Sequence, residues 1–119
     1  MIAGRPLALP DDLLAQHPAL ASAEWRRGGL PPHVGGWALG KRSVLGITLG
    51  RTVFLAPEVA LAPALLLHEL AHVHQFERDA AFPLKYLWES LRRGYRSNRF
   101  EFEADSYAAS QLSRPPSGV

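Results

Sequence analysis

At 119 residues, with 47% hydrophobic and 20% charged side chains, the chain has the composition of one soluble globular domain and is too short for two. Its net charge of +2 contains no block of five or more like charges, so neither nucleic-acid nor membrane binding is implied. The absence of cysteine removes disulfides, no apolar run reaches transmembrane length, and Pro6 and Pro10 interrupt any apolar leader, so a cytoplasmic protein is expected.

Residues 1–40 read as an N-terminal extension packed on the domain; an alternative is a pro-segment lying across a site. Residues 1–10 form an extended arm. Asp11 or Asp12 caps a short helix to about Gln16, and Pro18 interrupts it. Ala19 to Arg27 reads as a further helical stretch, with Leu20 and Trp25 apolar and Gly28-Gly29 as its stop. Leu30 to Gly40, rich in Pro and Gly, is loop and carries His33 and Trp37.

Residues 41–113 form the main domain. Ser43–Leu49 and Thr52–Leu55 are β-branched and apolar with period-two character, and Gly50-Arg51 between them suits a tight turn. The expected hairpin places Phe54 and Leu55 in the core. Pro63 suits the first turn of a helix over 63–77, which is apolar nearly all round and therefore central. A second helix over Pro83–Arg93 carries Leu84, Leu87, Trp88 and Leu91 at i, i+3, i+4 and i+7, a face expected to be core. Gly94 ends it. A third helix runs from Arg99 to about Leu112, and residues 114–119 are a frayed tail. The fold class is α+β: a small antiparallel hairpin sheet followed by three helices, with a helical N-terminal extension. Arg92, Arg93, Arg96 and Arg99 read as a solvated face, with a grip on an acidic partner or substrate carboxylate as the alternative.

The first of the three helices contains His68-Glu69-Leu70-Ala71-His72, an H-E-x-x-H motif. Two imidazoles at i and i+4 point the same way and can share one zinc ion. Glu69 lies beside them, positioned as general base toward an activated water. His74 is rotated about 200° from His72, at roughly 100° per residue, and points away. Zinc held by two histidines needs a third protein ligand. The third helix offers Glu101 and Asp105 at i and i+4 on one face. Glu101 as ligand, with Asp105 accepting a hydrogen bond from a ligand histidine, meets both needs. Glu103 is the alternative ligand, and Asn98 with Glu101 also makes a capping-box pattern that requires no metal.

H-E-x-x-H followed by Glu101-Phe102-Glu103-Ala104-Asp105 resembles the gluzincin metallopeptidases, and the small size resembles the single-domain minigluzincins. His68-Glu69-Leu70-Ala71-His72-Val73-His74-Gln75 also resembles small bacterial H-E-L-x-H-V-x-Q domains, several of which accompany secretion or injection machinery. The resemblance covers roughly residues 43–112. It implies a zincin-like minimal domain, zinc on His68, His72 and Glu101, Glu69 as general base, and a peptide or protein substrate. Gluzincins commonly add a Tyr or His that stabilises the oxyanion. Tyr95, on the loop leading to Glu101, is the candidate, with Tyr107, His33 and Arg96 as rivals. The chain departs from the family in lacking room for a larger sheet and a separate C-terminal helical part. The expected activity is peptide-bond hydrolysis; the alternative is a catalytically silent zinc-binding module of a larger assembly.

Overall fold

A computed structural model describes residues 4–28, 46–94 and 97–113. The elements in chain order are β1 (Arg5–Pro6), α1 (Asp11–Gln16), a 3-10 helix (Pro18–Ser22), β2 (Glu24–Arg27), β3 (Gly46–Leu49), β4 (Thr52–Leu55), α2 (Pro63–Arg78), α3 (Phe82–Arg93) and α4 (Arg99–Leu112). The strands form one mixed sheet in the order β1-β2-β4-β3, so the fold is α+β.

The hairpin β3–β4 is antiparallel, with Leu49 opposite Thr52 across a two-residue loop. Gly50 takes a φ of 65° there, which a side chain would resist. Val53, Phe54 and Leu55 are all buried on β4. Among the described residues β3 pairs on one side only and is an edge strand.

The N-terminal segment corrects one expectation. Ala19–Arg27 is not a helix: Pro18–Ser22 makes a 3-10 turn and Glu24–Arg27 a strand. β2 lies parallel to β4, Glu24 opposite Thr52 and Arg27 opposite Leu55, and antiparallel to β1. Two apolar markers in nine residues cannot separate a helix from a strand, and here nonlocal pairing decides. Trp25 enters the core and donates its indole N–H to the Leu20 carbonyl at 2.7 Å. Arg27 donates to the carbonyls of Ala56, Pro57 and Val59, tying β2 to the connector after β4. The segment read as an extension thus supplies an interior strand of the sheet.

α2 packs against β3, β4 and α4. Leu66, Leu67, Leu70 and Val73 on it are essentially inaccessible. α4 begins at Asn98, itself fully buried, whose side-chain oxygen accepts from the Phe100 N–H at 2.8 Å. Its amide also donates to Ser90 Oγ and the Tyr86 carbonyl, so this cap docks the start of α4 onto α3.

α3 supplies the second correction. The face expected to be core is turned to solvent: Leu84, Trp88 and Leu91 are 73%, 61% and 68% exposed. α3 docks through its opposite side. Phe82 is buried, with ring centroids 4.8 Å from Phe76 and 5.1 Å from Phe100. Buried Glu89 is flanked by Arg93 and Arg99 at 3.7 and 4.0 Å. Two members of the basic cluster therefore serve a buried acid. No helix among the described residues is long and apolar enough to cross a membrane.

Candidate metal centre

One turn of α2 brings His68 and His72 to the same side, with ring centroids 4.9 Å apart. Glu101 faces them from the first turn of α4. Its Oε1 lies 2.8 Å from His68 Nε2 and its Oε2 3.3 Å from His72 Nε2. Among the described residues these three form the one cluster of metal-ligating side chains, with donor atoms within 4.8 Å of one another. One tetrahedral ion with donor distances of roughly 2.0–2.2 Å sets its ligand atoms roughly 3.3–3.5 Å apart, so it could be held here after Glu101 and His68 part slightly. Two imidazoles and a carboxylate suit a divalent transition metal.

The far nitrogens are also engaged. His68 Nδ1 donates to Asp105 Oδ1 at 2.7 Å, and His72 Nδ1 donates to Gln75 Oε1 at 2.7 Å. Asp105 is 75% exposed, whereas Gln75 is 1% exposed. Both Nε2 atoms are therefore turned toward Glu101. A hydrogen-bonded far nitrogen is the arrangement that orients a ligand histidine.

Burial alone would lower both histidine pKa values. The hydrogen bonds to Glu101, with the charges of Glu101 and Glu69, outweigh it, so both sit above the ordinary 6.5. Glu101 behaves in the opposite sense. Burial would raise its pKa, but the hydrogen bonds from His68, His72 and Tyr86 and the charge of His72 hold it far below the usual carboxylate range. The cluster thus favours the ionised form of Glu101 and, against their mutual repulsion, the protonated forms of the two imidazoles. A bound cation would exchange for the two Nε2 protons.

Glu69 is 6% exposed, and its Oε2 accepts from the Thr48 hydroxyl at 2.9 Å. Thr48 and Gly46 alternate on one face of the edge strand. A Cβ at Gly46 would stand 3.3 Å from Glu69 Oε1, so glycine lets the strand close on this carboxylate. Tyr86 of α3 donates its hydroxyl to Glu101 Oε2, and its ring stands edge-on to His72 at 5.9 Å.

The structure therefore brings together His68, His72, Glu101 and Asp105, with Glu69 on the neighbouring face. Glu103 turns away, accepting from Gln75 and Arg78. His74 packs on Tyr107 at 5.4 Å, outside the cluster. Tyr95, Arg96 and His33 lie outside the described residues. Sequence reasoning missed Thr48 and Tyr86, and it put Gln75 in the H-E-L-x-H-V-x-Q pattern without giving it a role. That role could have been found from its place at i+3 from His72. Tyr86 could have been found at i+4 from Phe82, opposite the Leu84–Trp88–Leu91 stripe. Thr48 carried no signal, because its partner is 21 residues away. Comparison of the chain with protein-family models, with curated proteins and with solved structures finds no match.

Proposed function

We propose that the chain is a zinc-dependent peptidase of zincin-like architecture, reduced to one domain. The observation that carries this reading is the convergence of His68 Nε2, His72 Nε2 and the Glu101 carboxylate, with Glu69 on the same helix between the two histidines. Zinc bound there would supply Lewis-acid activation of water and of a carbonyl. Glu69 would take the proton of the attacking water and pass it to the leaving amine. Thr48 holds Glu69 Oε2, which leaves Oε1 for that exchange. The side of β3 that pairs with no strand among the described residues offers backbone groups to an extended peptide by strand addition. Asp105 and Gln75 keep the imidazoles turned to the metal, and Tyr86 restrains Glu101. A second cationic or hydroxyl group for the oxyanion would come from Tyr95.

The test is Glu69→Gln. The parent should bind one zinc and cleave peptides, and the variant should keep the zinc and lose turnover by about three orders of magnitude or more, as expected when general-base catalysis is removed. Equal cleavage by both proteins would eliminate the mechanism.

A second reading has its own support. Glu69 is nearly buried and already engaged by Thr48, as suits a zinc-holding scaffold that cleaves nothing. In that case chelation lowers the melting temperature, and no member of a peptide library is cut by the zinc-loaded parent.

A further inference from the structure

The two histidines are held from behind by unlike partners. His68 leans on an aspartate that is three-quarters exposed, where water can replace the carboxylate. His72 leans on Gln75, which is 1% exposed, where nothing else can take its place. A glutamine amide has an oxygen that only accepts and a nitrogen that only donates. Gln75 Nε2 donates to the Phe100 carbonyl at 3.0 Å and to Glu103 Oε1 at 2.9 Å. Both partners are acceptors only, so the nitrogen must face them. Reversing the amide would set oxygen against two oxygens. The amide oxygen is consequently committed to His72 Nδ1 at 2.7 Å.

We propose that Gln75 is a positioning residue that locks His72 with its hydrogen on Nδ1, leaving the Nε2 lone pair for metal, and at the same time anchors the backbone carrying Glu101. The second half follows from sequence adjacency: Phe100, whose carbonyl Gln75 holds, immediately precedes Glu101. One buried side chain on α2 thereby orients donors from two helices. Glu103 acts through it, clamped in turn by Arg78. The consequence is a ranking. Losing Gln75 leaves the buried His72 Nδ1–H unpaired, whereas losing Asp105 leaves a group that solvent can reach.

This inference rests on the metal-centre reading, and the experiment separates the two. Zinc affinity is measured by competition with a chromophoric chelator for the parent, Gln75→Leu, Asp105→Ala and the double variant Gln75→Glu with Glu103→Gln. The parent is expected to bind one equivalent; failure to do so would remove the metal centre itself. Given that binding, Gln75→Leu should weaken it about 10- to 100-fold, and more than Asp105→Ala does. The double variant returns an acceptor to His72 and a donor to the carboxylate now at position 75, but no donor to the Phe100 carbonyl, so it should recover part of the affinity and exceed Gln75→Leu. In the zinc-loaded parent, nitrogen-correlated NMR should show a slowly exchanging Nδ1 proton on His72, absent in Gln75→Leu and restored in the double variant. Unchanged affinity in Gln75→Leu would overturn the proposal. If that variant does not fold, a double variant as weak as a His72→Ala control, or lacking the Nδ1 proton, would overturn it equally.

Discussion

Helices α2 and α3 follow one another in the chain, and both place large apolar residues at helical spacing. In α2 those residues are inside: Leu66, Leu67, Leu70 and Val73 are at most 1% exposed. In α3 they are outside, with Leu84, Trp88 and Leu91 each more than 60% exposed. The difference is one of docking. α2 is enclosed by the sheet on one side and α4 on the other, so most of its middle turns are covered. α3 needs only one supporting face. It finds that face in Phe82 and Tyr86, which pack mostly edge-on against Phe76, Phe100 and His72. The aromatic side also serves the site, because it brings the Tyr86 hydroxyl to Glu101. An apolar stripe shows that a helix has two faces, and the surrounding structure determines which of them turns inward.

The sharpest way to break this comparison is truncation of each stripe. Leu70→Ala in α2 should cost about 2–5 kcal/mol, the usual range for a fully buried leucine. Denaturant unfolding measures it, and a loss below about 1 kcal/mol would mean that α2 is not enclosed. The joint between the two regions comes next. Asn98→Ala removes a helix cap and two further hydrogen bonds from α4 to α3, and should cost about 1–3 kcal/mol. Its removal should also weaken metal binding, since Glu101 sits one turn into the helix that Asn98 starts.

A third test uses pH. His68 and His72 have pKa values raised above 6.5 in the folded, metal-free protein. The stability they contribute is fully present below 6.5 and is lost as pH rises through the raised values. Chelator-treated protein should therefore lose melting temperature across that window on the alkaline side of 6.5. Zinc binding should run the opposite way, releasing protons and tightening with rising pH. Calorimetric titration in buffers of different ionisation heat measures the release, and zero release near neutrality would contradict the pairing of these histidines with Glu101. The smallest effect is expected at the outer stripe. Leu84→Ser or Leu91→Ser should shift stability by no more than about 0.5 kcal/mol, as at other exposed positions. A cost comparable to that of Leu70→Ala would show the stripe to be covered.

Much of the candidate metal centre was readable in the sequence because its spacings are local. His68 and His72 share a helical face at i and i+4, as do Glu101 and Asp105, and His74 falls off that face by phase alone. The meeting of the two pairs is a tertiary fact, since α2 and α4 are separated by α3. The hairpin was equally local: Gly50 at the turn and β-branched residues on either side are enough. β2 was not, because its hydrogen-bond partner β4 lies across a crossover of more than twenty residues, and parallel pairing leaves no mark on nearby sequence.

The sequence by itself determined that His68 and His72 could share a cation and narrowed the third ligand to Glu101 or Glu103, because ligand type and helical phase are properties of neighbouring residues. Only the tertiary structure decided what stands behind them: Gln75 behind His72, Tyr86 beside Glu101, Thr48 on Glu69. Thr48 and Tyr86 reach the site from other elements, so their roles depend on how a strand and a helix dock against α2. Gln75 does lie on α2, but its amide is oriented by Phe100 and Glu103 of α4, and hydrogen-bond direction there follows from packing rather than from spacing.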